Sequence, residues 1–76
     1  MFTQKDQQRM IAISAIYDLI KQRQLMQRRT DIEDIQSFAD KNKLPRADMG
    51  YALTYLKRTQ QITFNPNYGY YIQNRR

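Results

Sequence analysis

The chain is 76 residues long, carries 13 Lys and Arg against 7 Asp and Glu for a net charge of +6, and contains neither Cys nor His. A chain of this size buries one core and no more, and without thiol or imidazole it has neither a disulfide nor a zinc site to brace that core. The same gap removes the usual general base near neutral pH, the thiol nucleophile and the softer metal ligands, so neither an enzyme nor a bound cofactor is expected.

From about residue 6 to 27, Ala12, Ile13, Ala15, Ile16, Leu19, Ile20 and Met26 recur at the helical period with Ser14, Asp18 and Lys21 opposite, which predicts a first amphipathic helix. Met10, Ile11 and Tyr17 widen its apolar arc, so either the helix is deeply buried or part of it faces a second subunit. Thr30-Asp31-Ile32-Glu33 has capping-box spacing, with the Thr30 hydroxyl expected on the Glu33 amide and the Glu33 carboxylate on the Thr30 amide. A second helix is therefore expected over about 31–41, with Ile32, Ile35, Phe38 and Ala39 inward. Asp31, Glu33 and Asp34 crowd its first turn, where the helix dipole favours anions.

Asn42-Lys43-Leu44-Pro45 reads as a turn, and Pro45 as the first residue of a third helix over about 45–60 whose Met49, Ala52, Leu53 and Leu56 share one face. The period then drops to two. Gln61-Ile62-Thr63-Phe64 and Tyr70-Tyr71-Ile72-Gln73 read as the strands of a hairpin over about 61–73, joined by the five-residue turn Asn65-Pro66-Asn67-Tyr68-Gly69.

Charge is unevenly spread along these elements. Residues 1–40 hold six basic and six acidic side chains, whereas residues 41–76 hold Lys41, Lys43, Arg46, Lys57, Arg58, Arg75 and Arg76 against Asp48 alone. That excess is either a solubilising surface or the contact for a polyanionic partner. Asp40 and Asp48 flank the turn and read as neutralising Lys41, Lys43 or Arg46 rather than as a catalytic pair.

The order helix, helix, short turn, helix, hairpin makes an α+β chain, mainly α. The stretch TDIEDIQSFADKNKLPRADMGYALTYLKRTQQITFNPNYGYYI resembles the core of the winged helix-turn-helix superfamily: a capped second helix, a turn of about four residues, a third helix ending in Leu-x-x-x-x-x-Ile, and a wing closing on Tyr-Ile. The resemblance covers about residues 8–73 and implies a single domain of three helices followed by a C-terminal β-hairpin wing. It further implies binding of double-stranded DNA, with the third helix in the major groove and the wing along the minor groove or backbone.

Projection of the third helix places Ala47, Gly50, Tyr51, Thr54 and Arg58 opposite the buried face, with Arg46 and Lys57 flanking and Lys43 just before it. Small residues allow close approach, Thr and Tyr offer hydrogen bonds, and Arg reads guanine or binds phosphate. In the wing, Asn65, Asn67 and Tyr68 are either phosphate contacts or turn formers, and Arg75 and Arg76 offer a basic tail beyond it. Arg28 and Arg29, before the second helix, either touch phosphate or pair with Asp31 or Asp34. The function implied is a small sequence-specific transcriptional regulator, homodimeric through the first helix. The alternative is a winged helix that docks a protein partner through exposed Tyr and Met. No run approaches the roughly 18 apolar residues of a membrane span, and MFTQKDQQRM lacks a signal-like apolar core. The expected location is the cytoplasm, on the nucleoid or in a host cell.

Overall fold

The structure is a computed structural model that describes residues 3–72. Three helices, α1 (Gln4–Leu25), α2 (Ile32–Lys41) and α3 (Arg46–Arg58), precede an antiparallel pair, β1 (Ile62–Asn65) and β2 (Gly69–Ile72). This is the expected mainly helical α+β layout of a winged helix.

The core follows the periodicities. Ala12, Ile16 and Ile20 line one edge of α1 at successive i+4 steps. They meet Ile35 and Ala39 of α2, then Met49, Ala52, Leu53 and Leu56 of α3, with Ile62 of β1 closing the base. α1 packs chiefly on α3, and its C-terminal half supports β2. Ile13, Tyr17, Leu19, Ile32, Leu44, Tyr70 and Ile72 pack partly buried around this centre. Met26, expected within the apolar arc, is instead the C-cap of α1 and is 62% exposed.

All three helix starts differ from expectation, each for a local reason. α1 begins before residue 6 because Thr3 caps it: Thr3 Oγ1 accepts from the Asp6 amide at 3.1 Å, and Asp6 Oδ2 accepts from the Thr3 amide at 3.3 Å. α2 is capped by Asp31 rather than Thr30, and the Asp31 amide donates to Asp34 Oδ2 at 2.8 Å. The spacing that made Thr30 and Glu33 a pair recurs one residue later, and Thr30 is occupied elsewhere. It is buried, its hydroxyl accepts from Arg23 Nε at 3.0 Å and its carbonyl accepts from the Tyr70 amide at 2.8 Å. Pro45 stands at the N-cap of α3, with extended ψ of 143°, instead of its first turn.

The helix ends share one device. After each C-cap comes a non-glycine residue at positive φ: Gln27 at 57°, Lys43 at 58° and Gln60 at 62°. Its amide bonds back to the carbonyl of Gln24, Asp40 or Lys57, and the next amide (Arg28, Leu44 or Gln61) bonds to the carbonyl of Arg23, Ala39 or Leu56 at 2.8–2.9 Å. These are paired 5→2 and 6→1 bonds, the Schellman arrangement that ordinarily takes glycine. α1 and α3 therefore stop two residues before the expected 27 and 60.

The hairpin pairs Ile62 with Ile72, Thr63 with Tyr71, Phe64 with Tyr70 and Asn65 with Gly69. Asn65 and Gly69 thus belong to the strands, and the connection is three residues rather than five. Gly69, at φ 73°, takes the left-handed position such a loop needs. It also lies against the backbone of Thr30, forming an isolated parallel bridge with it. At the far end of β2, Gln24 Oε1 accepts from the Ile72 amide at 2.7 Å and Nε2 donates to the Ile72 carbonyl at 3.2 Å, the pair of bonds a neighbouring strand would make.

Candidate nucleic-acid interface

The chemistry-bearing residues fall into two groups, one on α3 and one between the α1–α2 connection and the hairpin.

On α3, burial of Met49, Ala52, Leu53 and Leu56 turns Ala47, Tyr51, Thr54 and Arg58 to solvent at i+3 and i+4 steps, with Gly50 half-buried among them. Lys57 and Arg46 are exposed beside this strip. Arg46 Nη2 bonds Asp40 Oδ2 at 3.2 Å, as the charge placement around the turn anticipated. Both side chains are mostly exposed, so the pair is weak and readily exchanged for another anion. Asp48 makes no such pair among the described residues: only 8% exposed, it is tucked into the first turn of α3, where the dipole favours its charge. Lys43 is exposed at its positive-φ position in the turn.

The α3 strip has a neighbour that counting charge by halves of the chain concealed. The Arg9 guanidinium of α1 lies over the Tyr51 ring, 4.4 Å from its centroid. The stack fixes the guanidinium against the exposed face of α3. Arg9 Nε is buried and lacks a hydrogen-bond partner among the described residues. No sequence spacing relates residues 9 and 51; only the packing of α1 on α3 brings them together.

In the second group, Arg29 resolves to an ion pair. Its Nε bonds Asp31 Oδ1 at 2.6 Å and its Nη1 donates to the Pro66 carbonyl at 2.6 Å, so its charge holds the hairpin turn against the α1–α2 connection. Asp34 takes its cation from Arg23, 3.5 Å away, rather than from Arg28 or Arg29. The Arg28 side chain is exposed, and its guanidinium makes no ion pair or hydrogen bond to any described residue. In the turn, Asn65 Oδ1 accepts from the Asn67 amide at 2.7 Å and the Asn65 carbonyl from the Tyr68 amide at 3.1 Å. The Asn65 side chain is therefore spent on the turn itself.

Tyr68 projects outward, 67% exposed, and meets Tyr71 edge-on with centroids 6.2 Å apart. Beneath them is a cleft of about 530 Å³ whose walls include Gln27, Arg28, Asn67, Tyr68 and Tyr71. Gln27 and Tyr71 were not singled out from the sequence, because Gln27 reads as helix and Tyr71 as strand. Tyr70, which also lines the cleft, meets the Phe64 ring at a tilt of 60° with centroids 5.0 Å apart, and burial raises its phenol above the ordinary range. Arg75 and Arg76 lie outside the described residues.

Among the described residues no helix is long and apolar enough to cross a membrane. Comparison with protein-family models, with curated proteins and with solved structures finds no match to this chain.

Proposed function

We propose that the chain is a sequence-specific, double-stranded DNA-binding regulator of transcription, acting in the cytoplasm and inserting α3 into the major groove. The observation that carries this reading is the α3 face itself. Ala47, Tyr51, Thr54 and Arg58 are exposed in one strip between small residues and cations, and Arg9 is held beside them on Tyr51. A helix of about 12 Å overall diameter, with the small Ala47 and Gly50 near its N-terminal end allowing close approach, fits a groove of about that width. The protein needs two copies to gain useful specificity from so small a module. Met10 and Ile11, 54% and 59% exposed on α1, supply an apolar surface for that pairing.

Arg9, Lys57 and Arg58 from each of two copies would neutralise about six phosphates. Duplex affinity should then fall about a thousandfold between roughly 50 and 200 mM salt. A fluorescence titration with duplex DNA at those two concentrations tests this, and a salt-independent or absent signal refutes it. Arg58→Ala should lower the salt slope by about one if Arg58 binds phosphate, or relax preference at one base by about 1–3 kcal/mol if it reads a base. Thr54→Ala should reduce preference between sequences at an unchanged salt slope.

A second reading has its own observation. Met10, Ile13, Tyr17 and Tyr55 line a groove of about 300 Å³ between α1 and α3, which suits an apolar segment of a protein partner. Binding there would hardly respond to salt, so the same titration separates the two.

A further inference from the structure

We propose that the cleft between the α1–α2 connection and the hairpin holds an unstacked nucleotide of a single-stranded nucleic acid, its base against the Tyr68–Tyr71 pair and its phosphate on Arg28. This rests on reading the chain as a nucleic-acid-binding protein, but it uses a surface separate from α3.

The cleft has the size of a small-ligand site, about 530 Å³ within the usual few hundred to a thousand. Its wall residues divide by what they are already doing. Gln24 is committed to the Ile72 backbone and Arg29 to Asp31 and Pro66, so both are framework. The Arg28 guanidinium has no partner among the described residues, and no carboxylate among them lines the cleft, so the local charge is that of one uncompensated guanidinium. That selects an anion.

The aromatic pair selects its shape. Tyr68 and Tyr71 meet at 78°, an edge against a face, so most of their ring faces are not consumed by each other. A planar ring can lie on either. The side-chain amides of Gln27 and Asn67 add donors and acceptors of the kind that pair with base edges. An anion carrying a flat, hydrogen-bonding ring is a nucleotide.

Duplex DNA does not present one, because its bases are stacked and paired. A single strand does, and stacking on aromatic side chains beside a cation is how strands are held without strict sequence preference. The short hairpin argues the same way. Tied down at Thr30 and at Pro66, its turn forms one wall of a cleft.

The test compares anisotropy titrations of a labelled oligodeoxythymidine of about 12 nucleotides with those of a mixed-sequence duplex, for wild type, Tyr68→Ala, Tyr68→Phe, Arg28→Gln and Arg58→Ala. Tyr68 is exposed and Arg28 unpaired, so these variants should fold, which circular dichroism verifies. Tyr68→Ala and Arg28→Gln should each weaken the oligonucleotide about tenfold and the duplex less than twofold, Tyr68→Phe should bind like wild type, and Arg58→Ala should show the opposite preference.

An oligonucleotide affinity unchanged in Tyr68→Ala and Arg28→Gln overturns the proposal, and leaves the duplex reading standing if the duplex still binds. Loss of duplex binding alone sinks the function proposed above and not this cleft. Competition by dTMP at the oligonucleotide's own concentration overturns the single strand as the source. Equal competition by polyglutamate shows that charge alone is read and overturns the base contact.

Discussion

Gly69→Ala is the substitution most sharply constrained by this structure. Residue 69 has a φ of 73°, where a side chain is strained, at a cost of roughly 1–3 kcal/mol. A Cβ built there falls inside contact distance of the Thr30 carbonyl oxygen, a backbone atom that cannot swing aside. Relieving that clash separates β2 from the α1–α2 connection and strains the 2.8 Å bond from the Tyr70 amide to Thr30, worth about 1 kcal/mol. The total is about 2–4 kcal/mol in a domain whose whole stability is on the order of 4–11 kcal/mol. Thermal unfolding followed by circular dichroism should show a midpoint lower by about 8 °C or more. Gly69→Asn separates the two causes, since Asn tolerates the left-handed region but still carries a Cβ. It should recover only part of the loss. If Gly69→Ala kept the wild-type midpoint, the close approach of β2 to Thr30 would be wrong, and with it the fixed wall of the cleft.

Leu56→Ala should cost about 2–5 kcal/mol, because Leu56 is fully buried at the centre of the α1–α3 contact; urea unfolding measures it. Lys43→Gly should stabilise by about 1 kcal/mol, because glycine relieves the 58° φ at the end of α2, and the thermal midpoint should rise accordingly. Stability should fall as pH climbs above 10: burial raises the Tyr70 phenol above its usual value of about 10, so the folded chain retains a proton that the unfolded chain releases. Urea midpoints at neutral and strongly alkaline pH should therefore converge in part in Tyr70→Phe.

Where the sequence was legible, the signal was apolar period. Ile16 and Ile20, Ile35 and Ala39, and Met49, Ala52, Leu53 and Leu56 all lie where spacing placed them, and the strip on α3 followed by subtraction. Helix ends were harder to read. Stops marked by Gln27, Lys43 and Gln60 carry no glycine to announce them, and Thr30-Asp31-Ile32-Glu33-Asp34 holds two overlapping cap patterns that differ by one residue. Tertiary contacts decide between them: Arg23 occupies the Thr30 hydroxyl and β2 its carbonyl. Long-range partners were illegible for a related reason. Arg9 on Tyr51, Arg29 on Pro66 and Gln24 on Ile72 join positions far apart in sequence, and nothing in the sequence around Arg9 distinguishes it from any other basic residue of a helix.

The Gln24 contact bears on how the protein survives at high concentration. A two-stranded sheet has two open edges, each a template on which another chain can add a strand and begin to aggregate. Along β2 that template is interrupted at both ends, by Thr30 beside Gly69 and Tyr70 and by the Gln24 amide on Ile72. β1 runs for only four residues before Pro66, which has no amide to offer a new strand. Gln24→Ala would leave the fold's core untouched and yet free the Ile72 end of the β2 edge. Its cost would appear less in the unfolding midpoint than in the concentration at which the solution turns turbid.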